Sequence, residues 1–217
     1  MTDTVLQRKN MVESQVRPSD VTDRRITSAM LDVPRDHFVP ADKCALAYMD
    51  EALLVAPDRS LMAPRDFARL VQLAAIEPND TVLIVGALGG YSSAILARLA
   101  KHVVALDCDS ALTSAAGAAL QAAGVSNVTI VTGSLTAGWA AAAPFDVILI
   151  EGGVELIPEP LFAQLAASGR LVAVEWDKGV GRAVVRQKTA STVSRREAFE
   201  AAAPLLPGFG RAKAFAF

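Results

Sequence analysis

A chain of 217 residues is long enough for one large folded unit with a substantial core. With 21 basic against 23 acidic residues it has no net charge that would draw it to nucleic acid, and that partner is not expected. It has no uninterrupted apolar run of roughly 18 residues, and the start "MTDTVLQRKN" lacks an apolar signal core, so neither a membrane partner nor secretion is expected and a cytoplasmic setting is. Cys44 and Cys108 have no CxxC spacing and no histidine at ligand spacing, so no metal site is expected.

In chain order, residues 1–64 have a helical pattern broken by prolines. In "VTDRRITSAMLDVP", Thr22 or Asp20 is a candidate N-cap, Val21, Ile26, Met30 and Leu31 fall mostly on one face, and Pro34 and Pro40 end the helices. "EALLVAPDRSLMAPRDF" reads as a long ordered loop leading into the helix "DFARLVQLAAI". From Asn79 strands and helices alternate: "TVLIVGA", "YSSAILARLA", "HVVALD", "SALTSAAGAALQAAG", "NVTIVTG", then "FDVILIEGG", "PLFAQLAAS" and "GRLVAVEW". Uniformly apolar strands such as VLIV and VILI suit a parallel sheet covered by helices on both faces. Past Asp177, "GRAVVRQKT", "TVSRREAFEA" and "GRAKAFAF" read as strands without intervening helices, an antiparallel edge. The expected architecture is an α/β doubly wound sheet finished by an antiparallel edge: residues 1–64 as a helical extension with a loop, and residues 65–217 as a mostly parallel, twisted core.

In such a sheet a ligand lies beyond the carboxyl ends of the central strands. Gly86, Gly89 and Gly90 follow the first core strand, and Asp107 ends the next one, where a carboxylate can accept from ribose hydroxyls. Together they point to an adenosine-containing ligand. Each has a plainer reading: the glycines as a tight turn, and Asp107, Asp109 or Ser110 as a helix cap. The order Gly86, Ala87, Leu88, Gly89, Gly90 departs from GxGxxG and makes nicotinamide a poor fit.

Several stretches together resemble the protein-L-isoaspartate O-methyltransferases. They are "MVESQVRPSDVTDRRITSAMLDVPRDHFVP", "AYMDEALLV", "VGALGGYSSAILARLA", "HVVALD", "PFDVILIEGG", "PEPLFAQLAASGRLVAV" and "PLLPGFG". The resemblance implies a Rossmann-like S-adenosylmethionine-dependent methyltransferase fold and methyl transfer to the carboxylate of isoaspartyl residues in damaged proteins, a repair activity. It places Gly86, Leu88, Gly90, Asp107 and Ser134 around the cofactor, Ser60 and Met62 in the catalytic loop, and Pro64 and Glu151 beside the isoaspartyl peptide or protein substrate. This chain carries Ile84 where the family has an acid, Leu88 for a central glycine, Ser134 for an aspartate and Met62 for a serine; Glu151 and Glu175 are added carboxylates. These changes imply weakened cofactor binding, and strain at Leu88 if φ is positive there. The alternative is a non-catalytic or differently specific relative that keeps the fold as a binding module.

Overall fold

The computed structural model describes residues 3–189 and 192–211. Asp3 starts α1 (Thr4–Met11), its side chain accepting from the amides of Val5 and Leu6. Asp23, rather than Thr22 or Asp20, caps α2 (Arg24–Asp32) by accepting from Arg25. Asp20 instead takes φ +62 at the end of the preceding turn. In α2 the buried Ile26, Ala29 and Met30 share the inward face the spacing predicts.

The expected long loop contains a hairpin, β1 (Leu53–Ala56) and β2 (Arg59–Leu61), because Pro57 and Asp58 make a tight turn with Asp58 at φ +55. Its register pairs Leu53 with Leu61 and Leu54 with Ser60. Then follow α3 (Pro64–Ala74), β3 (Thr81–Val85), α4 (Tyr91–Leu96), β4 (His102–Asp107), α5 (Ser110–Ala122) and β5 (Val128–Thr132). β6 (Phe145–Val154), α6 (Glu159–Ala163), β7 (Leu165–Asp177), β8 (Val180–Lys188) and β9 (Val193–Glu200) complete the order.

Seven of these strands form one sheet in the order β5-β4-β3-β6-β7-β8-β9. The pairs from β5 through β7 are parallel, whereas β7 with β8 and β8 with β9 are antiparallel, as the change of pattern past Asp177 implies. Two helices are shorter than the sequence suggests. The helix expected over "PLFAQLAAS" stops at Ala163, because Leu165 already pairs with Phe145 and the chain enters β7 there. α4 ends at Leu96 rather than running through Ala100. The expected terminal strand "GRAKAFAF" lies almost entirely outside the described residues.

The alternation along β3 divides the core. Val82 and Ile84 join one apolar cluster and Leu83 and Val85 the other, and β4 splits in the same way. The N-terminal residues Met11, Val16, Ile26 and Met30 belong to the cluster containing Ile84, so that region is packed into the sheet's own core. Each such side chain contributes roughly 1.5 to 3 kcal/mol by leaving water. β3 has β4 on one side and β6 on the other, so the chain changes direction across the sheet at this point. A crevice for a ligand is expected beyond the carboxyl ends of β3 and β6.

Candidate functional site

The loop after β3 uses its glycines against the chain's own atoms. Gly86 and Gly90 have φ of +88 and +92, values that a side chain disfavours. A Cβ on Gly89 would sit 2.5 Å from the Phe38 carbonyl oxygen, so only glycine lets this backbone approach. A Cβ on Gly86 would meet the Leu206 side chain at 3.2 Å and the Glu151 carbonyl at 3.3 Å. The amides are likewise engaged internally: Gly86 and Ala87 donate to Leu106, and Gly90 donates to Ala87.

Leu88 takes φ +52, the strained conformation that its place in the loop implies, yet it is buried at 2% exposure. Strain there costs about 1 to 2 kcal/mol, whereas removing a buried leucine side chain costs about 2 to 5. Leu88→Gly is therefore expected to lower stability by a net 1 to 3 kcal/mol or so, read from urea unfolding. A stabilised variant would mean that strain outweighs packing.

Asp107, at the end of β4, is fully buried, and its carboxylate is fully engaged. Arg59 of β2 donates to both oxygens, Nη1 to Oδ1 at 2.7 Å and Nη2 to Oδ2 at 2.6 Å. The Leu88 amide donates to Oδ2 at 2.9 Å and the Asp109 amide to Oδ1 at 3.1 Å. The plainer cap role falls to Asp109, whose side chain accepts from Ala111 and Leu112 at the start of α5. Asp107 thus sits where a ribose carboxylate is expected, but its partner is a guanidinium of the same chain.

Behind this pair is a second buried polar group. Glu151, near the end of β6, is fully buried and accepts from Ser92 Oγ at 2.5 Å, while its Oε2 has no hydrogen-bond partner. Burial pushes its carboxyl up to about 7, against the opposing pull of the Ser92 hydroxyl and of the Arg35 and Arg59 charges. Arg35 is also fully buried, donating from Nε to Ala47 O and from Nη2 to Met62 O, each at 2.7 Å, with its guanidinium 4.9 Å from the Tyr91 ring centre. Glu151 is therefore enclosed under the glycine loop.

The remaining predicted residues are dispersed. Met62 is fully buried in the core, Ser60 is half-buried on the hairpin, and Pro64 is buried at the first turn of α3. Ser134 exchanges a hydrogen bond with Thr136 at 3.0 Å. Glu175 is held by Arg186 and Arg195 at 2.7 and 2.8 Å, so this added carboxylate has its counter-charges within the chain. Its neighbour Trp176 lines an open groove of about 530 Å³ with Arg65, Asp66, Arg69 and Glu200. A second opening, of about 420 Å³, continues past Trp176 to Asp50, Glu51 and Ala63. This groove reaches the residue just before Pro64, beside the expected substrate loop.

Sequence reasoning missed Arg35, Arg59, Ser92 and Leu206. Only Arg59 left a signal, a cation next to Ser60 in the expected substrate loop. Leu206 is placed by the segment after β9, where Gly153 donates to Pro204 O and Leu206 donates back to Gly153 O. Leu206 thereby covers Gly86 and Gly152 at the crevice. In this closed arrangement the residues as placed do not fit an adenosine ligand, since the Asp107 carboxylate, the amides of Gly86, Ala87, Leu88 and Gly90, and the open faces of the loop glycines are taken by the chain itself.

A sequence model of the family described as protein-L-isoaspartate(D-aspartate) O-methyltransferase matches residues 6–200. The chain is 39% identical over 166 residues to a protein-L-isoaspartate O-methyltransferase of Roseiflexus sp. (strain RS-1), covering 76% of each. It is 36% identical over 206 residues to one of Methanoregula boonei, covering 94% of each. Among solved structures, a protein-L-isoaspartate O-methyltransferase superposes with a TM-score of 0.80 at 23% identity, over 93% of this chain and 66% of that one. One from Plasmodium falciparum, solved in complex with S-adenosyl-L-homocysteine, gives a TM-score of 0.78 at 16% identity, over 95% and 99%.

Proposed function

Because the chain belongs to the protein-L-isoaspartate O-methyltransferase family, we propose that it serves S-adenosylmethionine-dependent methylation of isoaspartyl carboxylates in damaged proteins, from a crevice that must open first. The observation that carries this reading is Asp107. Across nearly the whole chain the family match coincides with a carboxylate ending β4 and a glycine loop after β3, at the sheet's change of direction. The groove beside Trp176 and Ala63 is the open approach for a peptide acceptor. Asp50, Glu51 and Asp66 line that part and oppose an acidic peptide, and the cation among them, Arg65, is paired with Asp50 at 3.2 Å and Asp66 at 3.7 Å. A cytoplasmic setting suits the reading, since reduced thiols such as those of Cys44 and Cys108 persist there.

One observation favours a second reading, that the fold is kept as a binding module: the two-pronged Arg59–Asp107 pair occupies the cofactor's carboxylate. Transfer of labelled methyl from S-adenosylmethionine to an isoaspartyl peptide, with the aspartyl peptide as control, separates the two. The expected result is slow transfer specific to the isoaspartyl peptide, rising with cofactor concentration without saturating. No transfer above the control at millimolar cofactor would remove the enzymatic reading and leave the binding module.

A further inference from the structure

We propose that the β1–β2 hairpin is a strap that closes the crevice, with the Arg59 guanidinium acting as an internal ligand in the position of a nucleoside's vicinal diol. The inference rests on the reading above only in taking Asp107 as the diol acceptor. A ribose diol offers a carboxylate two neighbouring O–H donors, and the Arg59 fork offers two neighbouring N–H donors. The two compete for the same oxygens, and the resident cation wins while the hairpin is docked.

The fork is incompletely satisfied. Arg59 Nε is buried without a hydrogen-bond partner, and of the described residues only Cys108 Sγ, 3.6 Å from Nη1, adds to the Asp107 contacts. The strap is also built to come away as a unit. Two strands of four and three residues, paired only with each other, are marginal on their own and depend on what they dock against. Their docking contacts are few: the ion pair, the buried Leu61, and the packing of Leu53 and Val55 on the core. Leu54, on the other side, is 55% exposed. Opening the hairpin by local unfolding uncovers Asp107 without disturbing the parallel sheet.

The test is calorimetric titration of the unmodified chain and of Arg59→Ala with S-adenosylhomocysteine, adenosine and 2′,3′-dideoxyadenosine. Arg59→Ala is expected to bind S-adenosylhomocysteine and adenosine at least tenfold more tightly than the unmodified chain. The gain should be absent for the dideoxy compound, which has no diol for Asp107. Equal or weaker binding by a variant with a native circular dichroism spectrum overturns the proposal, as does an equal gain for all three ligands. If Arg59→Ala does not fold, Arg59→Lys keeps the charge but not the fork, and a gain of at least threefold for adenosine is expected; no gain overturns the strap. Tighter binding without methyl transfer supports the strap while removing the enzymatic reading, so the two failures are distinguishable.

Discussion

Replacing Arg59 by alanine is expected to destabilise the fold by about 3 to 5 kcal/mol, the cost of leaving one member of a buried ion pair without its partner. Arg59 and Asp107 are 4% and 0% exposed, so water cannot take over when the guanidinium is removed. The amides of Leu88 and Asp109 still donate to the carboxylate, which keeps the expected loss near the lower end. A domain of this kind has roughly 5 to 15 kcal/mol of total stability, so the variant's urea midpoint should fall by a large fraction. The double variant Arg59→Leu with Asp107→Asn is the informative companion. Its asparagine has a single oxygen and accepts from only one of the two amides, but nothing charged is buried, so it should recover part of the loss and be more stable than the single variant. A single-variant loss below about 1 kcal/mol would instead show the pair to be open to solvent, with the hairpin already undocked much of the time.

The same pair explains what the sequence could and could not convey. Strands with both faces covered read directly from their apolar runs, and β3, β4 and β6 lie where VLIV, VVAL and VILI place them. At Leu88 the sequence left the sign of φ open and tied strain to a positive value, which the loop adopts. The closure was not legible. An arginine in a polar loop looks like a solvated surface charge, and only the hairpin turn at Pro57 and Asp58 sends Arg59 inward to Asp107. Glu151 looked like a charge facing a substrate because the resemblance puts its position beside one, whereas it lies within β6 and the Ser92 hydroxyl from α4, far away in the chain, encloses it. The start of β7 was misread because Leu165 enters the sheet through a pairing with Phe145, twenty residues away, which no local pattern encodes.

The pH dependence of stability should carry the signature of Glu151. Its carboxyl is fully buried, and burial raises it from an ordinary 4.5 to about 7. The groups around it offset that burial only in part. Ser92 donates one hydrogen bond, Arg59 is committed to Asp107, and Arg35 is engaged with the carbonyls of Ala47 and Met62. With the folded value above the unfolded one, the folded state binds more protons between the two, so stability falls as pH rises through that window. The contribution is favourable below pH 4.5 or so, declines through the interval, and is flat above about 7, where the full cost of about 3 kcal/mol applies. Glu151→Gln keeps the shape and an acceptor for Ser92 but cannot ionise. Relative to the unmodified chain it should gain about 2 to 3 kcal/mol of stability between pH 4.5 and pH 8, measured as the change in the difference between their urea unfolding free energies. Other titrating groups are common to both chains and cancel in that difference. A difference that stays constant across the interval would show that Glu151 is ionised in the folded state throughout, paired with one of the two arginines. In that case the crevice would hold a negative charge on β6 in place of the acid that Ile84 lacks on β3.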